Sequence, residues 1–165
     1  MGRGPIRIAD SERHDTPNLS HTRQQFFCFT VPPIIMSKNI KTIPTAEYDE
    51  VVRVVQQYYC EGCHKGDTSL LKKAFHKDAT MYGFTMTGEL LGGPVSNLYD
   101  FINQHGDAPN IKTRIDVVGI TPTTAVVKVD MERDAAEQDY TDFHTMMKFD
   151  GEWKIIAKVF HTYGS

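Results

Sequence analysis

The C-terminal third of the chain constrains its fold most. Residues 111–119, 124–133, 139–149 and 153–163 each read as strands, with almost no connection between them. Asp150-Gly151 lies between the last two, and an Asp-Gly step flanked by alternating apolar residues is a strong hairpin signal. Helical patterns come first and antiparallel strands second. This order predicts a single α+β domain wrapped around a cavity.

With 165 residues the chain is long enough for one domain with a real core. Residues 1–35 carry four arginines against Asp10, Glu12 and Asp15, a net +1, so the overall −3 leaves −4 for residues 36–165. A mildly acidic domain without a Lys/Arg cluster argues against nucleic acid as a partner. No apolar run approaches the roughly 20 residues that span a bilayer, which argues against a membrane. Cys28, Cys60 and Cys63 are too few and too unevenly spaced for a disulfide framework, so free thiols in a reducing cytoplasm are expected.

Residues 1–35 differ from the rest. Gly, Pro, Ser, His and Arg dominate the first two dozen, without helical or strand period, which predicts disorder. The apolar run Phe26-Phe27-Cys28-Phe29-Thr30-Val31 is short and stopped by Pro32-Pro33, unlike a signal-peptide core. The domain is expected to occupy residues 36–165, opening at Met36.

Thr45 is an N-cap type of residue, and Val51, Val54, Val55, Tyr58 and Tyr59 then recur along one helical face until Gly62 and Gly66. Asp67 caps a short second helix through Leu70, Leu71, Ala74 and Phe75. A third helix follows Gly92-Gly93-Pro94, with Leu98, Phe101 and Ile102 on its apolar face. Residues 79–86 read as a strand between the second and third helices.

On strand 139–149, Phe143, Thr145, Met147 and Phe149 share one face, and Tyr140, Asp142, His144, Met146 and Lys148 share the other. The first set is expected to face the cavity. Strand 153–163 is apolar on both faces, with Trp153, Ile155, Ala157 and Val159 on one, Ile156 and Phe160 on the other. A doubly apolar strand needs cover on both sides. Helices supply one cover, and a second copy of the chain through the outer sheet face is expected to supply the other. One bulge would exchange which of Lys158 and His161 faces the cavity.

Several constellations carry possible chemistry. Cys60-Glu61-Gly62-Cys63-His64 matches the haem c attachment pattern, but it ends an amphipathic helix committed to packing, and no export signal accompanies it. A redox Cys-x-x-Cys ordinarily begins a helix, where the dipole activates the thiol, and zinc would need two further ligands. No metal and no cofactor are therefore expected. His64, His76, His144 and His161 are the candidate acid–base residues, and Asp142 shares a strand face with His144. Tyr59, Tyr82, Phe84, Met86, Phe101, Thr145, Met147 and Phe160 either line an apolar pocket or fill it.

Gly66-Asp67, the run Ala74-Phe75-His76-Lys77-Asp78-Ala79-Thr80-Met81-Tyr82 and the run Lys148-Phe149-Asp150-Gly151-Glu152-Trp153-Lys154-Ile155 resemble the nuclear transport factor 2-like (SnoaL-like) superfamily. Within it, they are similar to the bacterial group labelled putative lumazine-binding proteins. The resemblance covers about residues 45–163. It implies a cone-shaped fold, N-terminal helices packed on a strongly curved, mostly antiparallel sheet, commonly dimeric and with a pocket at the open end. Its members include isomerases, cyclases, dehydratases, hydrolases and proteins without a reaction, so fold does not select among them.

Ketosteroid isomerase, a member that uses an Asp base with Tyr and protonated Asp donors, offers a residue-by-residue test. Counting from the shared motifs, its tyrosine position falls on Tyr59, its base on Gly83 and its second donor on Thr145. Only the tyrosine is kept, which argues against that mechanism. Two functions stay open. One is a homodimeric binder of an unknown apolar small molecule, with Tyr59, Tyr82 and Thr145 as polar contacts. The other is an isomerase, cyclase or dehydratase whose candidate catalytic residues are Tyr59, Asp142, His144 and His161, with Tyr59 polarising a carbonyl. A purely associative role has no sequence feature in its favour.

Overall fold

The computed structural model describes residues 43–164. The expectations for residues 1–35, Cys28 and Met36 lie outside them.

The first helical face is built in three joined pieces: α1 (Thr45–Val54), a π-helical turn (Val55–Cys60) and α2 (Glu61–Lys65). Gly66, not Gly62, ends the run. It adopts φ 64°, and a Cβ there would lie 2.7 Å from the Gly106 carbonyl carbon, so only glycine suits both the left-handed turn and the close approach. Asp67 then accepts a hydrogen bond from the Ser69 N–H at 2.8 Å and caps α3 (Thr68–Ala74).

The chain passes directly into β1 (Phe75–Phe84), pairs it with β2 (Leu90–Pro94), and crosses through α4 (Ser96–His105). Then come β3 (Lys112–Ile120), β4 (Thr124–Glu132), β5 (Asp139–Phe149) and β6 (Glu152–Tyr163). β1 begins four residues before the expected start, and β2 has no counterpart in the sequence reading: Leu90-Leu91-Gly92-Gly93-Pro94 holds too few alternating positions to announce a strand. Asp150 and Gly151 both take positive φ, 50° and 89°, forming the tight hairpin turn.

The sheet is open and six-stranded, in the order β2-β1-β6-β5-β4-β3. Only β1 and β6 are parallel; the other neighbours are antiparallel. Helices and sheet enclose one core, in which Val51, Val55 and Leu71 meet Val127, Val129, Met146, Trp153 and Ile155. Glu47 ties the helical side to the last hairpin: it accepts hydrogen bonds from Lys148 Nζ at 2.8 Å and from the Trp153 indole at 3.1 Å. The architecture is the α+β cone. Among the described residues no helix is long and apolar enough to cross a membrane.

A bulge in β6 decides which residues face inward. Thr145 pairs with Ala157 and the next residue, Met146, with Ile155, so Ile156 is extra. Before the bulge Trp153 and Ile155 are buried; after it Lys158, Phe160 and Thr162 are. The two apolar faces of the sequence reading are thus one inner face that changes parity. Val159, placed there with Trp153 and Ile155, turns outward and is 53% exposed.

Candidate functional site

At the inner end of the cavity four side chains converge from three elements. Tyr59 comes from the π-helical turn, Asp142 and His144 from β5, Lys158 from β6 beyond its bulge. The π-helical insertion seats Tyr59 fully inside, a placement such insertions often provide at functional positions. Its ring stands edge-on to His144, with centroids 4.4 Å apart, and to Phe75 at 5.9 Å.

Asp142 is the hub. The Tyr59 hydroxyl donates to its Oδ2 and the Lys158 ammonium to its Oδ1, so each carboxylate oxygen has its own donor. Asp142 itself is fully buried, whereas Tyr59 and Lys158 also form part of the cavity wall. Lys158 Nζ further lies 4.4 Å from the Phe160 ring centroid, a cation–π contact that stabilises the ammonium where water is scarce. An ion pair so deep is justified only by tight geometry, because both partners lose their hydration.

His144 is fully buried, and among the described residues neither ring nitrogen has a hydrogen-bond partner. Its Nε2 lies 3.8 Å from Asp142 Oδ2, beyond hydrogen-bonding distance. Burial lowers its pKa to about 4, against the pull of Asp142, so the imidazole is neutral near pH 7. Burial, and after it the Asp142 charge, drives the Tyr59 phenol well above its ordinary range. Tyr59 thus stays protonated, and its one hydroxyl hydrogen is donated to Asp142.

The cavity has a volume of about 640 Å³. Met81, Leu98, Phe101, Ile102 and Phe160 give it an apolar wall, while Asn97, Gln104 and Gln138 add polar groups. Asp134 also borders it; burial raises its carboxyl pKa, and its Oδ1 accepts the backbone N–H groups of Ala136 and Gln138.

Of the residues picked from sequence, Tyr59, Asp142 and His144 come together. His161 does not: it is exposed, beyond the bulge and out of phase with Lys158. His64 and His76 are not part of the cluster: the first lies 3.9 Å from a Glu61 carboxylate oxygen and the second stacks on Phe149. Tyr59, Met86, Phe101 and Phe160 line the cavity. Tyr82, Phe84, Thr145 and Met147 do not. Thr145 is exposed and Met147 half-buried because the inner face of β5 is the Asp142–His144–Met146 face, not the more apolar one; Tyr82 and Phe84 are exposed on β1.

Two of the positions counted from ketosteroid isomerase lie where they could not serve that mechanism. Thr145 points away from the cavity, and at Gly83 a Cβ would stand 2.5 Å from the Phe160 ring, leaving no room for a base. Lys158 was visible only as one of two bulge alternatives, and Asp134 carried no sequence signal. Cys60 and Cys63 are free and buried. Burial pushes the first thiol to about 12 and the second higher still, which suits inert core thiols rather than haem or redox chemistry. Among the described residues no three His, Cys, Asp or Glu side chains gather as a metal site.

The profile of the family described as putative lumazine-binding matches residues 46–161. The chain belongs to this family. A protein named aldolase FrzH, from a Cladobotryum species, is 44% identical over 123 residues, spanning 74% of this chain and 97% of that protein. Two solved structures of NTF2-like proteins of unknown function are also similar. The one from Shewanella baltica is 32% identical with a TM-score of 0.65, covering 76% of this chain and 100% of its own. The one from Methylobacillus flagellatus is 31% identical with a TM-score of 0.68, covering 74% and 96%.

Proposed function

We propose that this protein is an enzyme that activates a carbonyl compound for aldol-type chemistry, making or breaking a bond at the carbon next to the carbonyl. The observation that carries the reading is the buried Tyr59–Asp142–Lys158 cluster, whose two donors reach the cavity while the carboxylate between them stays dry. Similarity to a protein named as an aldolase supports it. Lys158 engages the substrate carbonyl. Asp142, reached through the Tyr59 hydroxyl, takes the proton from the adjacent carbon and later returns it. Neutral His144 packs behind Tyr59 and holds its ring. The apolar wall calls for a substrate with an apolar body, and the cavity volume allows one of drug-like size.

The test is solvent exchange. The wild-type protein, incubated with cyclohexanone in heavy water, is expected to replace the α-protons with deuterium faster than buffer, as followed by proton NMR. Binding of such ketones without exchange would instead favour a carrier that performs no reaction.

A homodimer through the outer sheet face belongs to the same proposal. Tyr82, Phe143 and Val159 form an exposed apolar row across β1, β6 and β5 in direct register. Phe143→Lys is expected to convert the dimer to a monomer in light scattering without loss of fold. A wild-type protein that is monomeric at all concentrations would remove this part.

A further inference from the structure

We propose that Lys158 acts covalently: its ε-amino group forms an iminium with an apolar ketone or aldehyde in the cavity, so that bond making and breaking run through an enamine. This rests on the carbonyl-directed reading above and specifies how Lys158 engages the substrate.

Position singles out this lysine. Among the described residues it is the one buried lysine, yet it borders the cavity. A lysine retained only to balance Asp142 would have no need to reach the cavity. Its surroundings suit the chemistry as well. Amine addition to a carbonyl requires an unprotonated nitrogen, and Asp142 Oδ1, hydrogen-bonded to Nζ, is a proton acceptor already in place. Passing that proton converts a buried ion pair into two neutral groups, which a low-dielectric site tolerates well. The Phe160 ring against Nζ and the mainly apolar cavity wall favour the dehydration that iminium formation requires.

The protons balance over the cycle. The Lys158 ammonium gives one proton to the Asp142 carboxylate, and the amine adds to the carbonyl carbon to form a carbinolamine. The carbinolamine hydroxyl takes the Asp142 proton through the Tyr59 hydroxyl and leaves as water, producing the iminium. Asp142, again a carboxylate, removes the α-proton by the same route to give the enamine. The enamine carbon attacks the acceptor carbonyl, whose oxygen takes that proton and becomes a hydroxyl. Water adds to the new iminium, the product carbonyl is released, and Lys158 and Asp142 recover their charges. Nothing is oxidised or reduced.

The experiment is reductive trapping on the wild-type protein. Cyclohexanone and cyanoborohydride are added together, and the adduct is located by peptide mass mapping. The expected result is one reduced adduct on Lys158, in at least about tenfold excess over any exposed lysine such as Lys65 or Lys77. Prior incubation with a bulky apolar competitor that fills the cavity should abolish it. Adducts on the exposed lysines with Lys158 unmodified would overturn the proposal. Deuterium exchange under the same conditions separates the two readings. Exchange without a Lys158 adduct rejects the covalent step but keeps the carbonyl chemistry through a free enolate; neither exchange nor adduct rejects both.

Discussion

Asp142 and Phe143 are neighbours in sequence and opposites in surroundings. Asp142 is fully buried and holds two charged or polar donors, while Phe143 is 46% exposed on the outer face. The usual pattern of a half-buried sheet, apolar inside and polar outside, is inverted on this stretch. The inner face spends burial on a charged cluster, and the outer face of the same strands presents apolar side chains. Such an inversion costs stability, a cost that natural proteins carry at functional sites. Carbonyl chemistry is the use proposed for the inner face, and a second subunit the use proposed for the outer.

The largest effect that sharpens this contrast comes from breaking the inner ion pair. Asp142→Leu strands the Lys158 ammonium in the core and is expected to cost about 3–5 kcal/mol in urea denaturation. Adding Lys158→Met should restore most of it. On the outer face, Asp130→Asn removes the partner of the part-exposed Lys128 and should cost less than about 1 kcal/mol. Equal losses at the two sites would break the comparison.

Next comes pH. Unfolded His144 takes a proton near its ordinary 6.5, folded His144 only near 4. Between those values the unfolded chain holds more protons. Stability from this residue is therefore complete above pH 6.5 and falls as pH drops toward 4, by roughly 3 kcal/mol in all. His144→Leu should flatten that slope in urea titrations run from pH 7 to 4. It also removes two unpartnered buried nitrogens, so its stability at pH 7 should not fall.

A smaller effect separates two glycines. Gly83→Ala forces a methyl group against the Phe160 ring and backbone and should cost about 1–3 kcal/mol, read as a lowered Tm. Gly119→Ala meets nothing within 4 Å and should change Tm far less.

Much of the fold was legible because its signals are local: Asp150-Gly151 for the last hairpin, the Val51-to-Tyr59 periodicity for the first helix, Asp67 for the α3 cap. Asp142 and His144 were legible as candidates for the same reason, since they share a strand face, whereas Tyr59 came from the family resemblance. Side choice was not. The more apolar face of β5 was assigned to the cavity on the ordinary rule that apolar residues point inward, and here the inner face is the charged one. Lys158 depended on a single extra residue, Ile156. A bulge follows from pairing with a partner strand, which no local pattern in β6 reveals. The π-helical turn was equally silent, since its residues continue the helical period closely enough to pass as α-helix.

The most direct test of the buried cluster as a carbonyl-activating site is the cyclohexanone α-proton exchange rate of Tyr59→Phe against wild type, with thermal unfolding measured on both. This substitution removes one hydroxyl, keeps the ring against His144 and leaves the Lys158–Asp142 pair intact. The expected result is unfolding close to wild type with exchange slowed about a hundredfold or more. Exchange at the wild-type rate in a folded Tyr59→Phe protein would contradict the role given to the cluster.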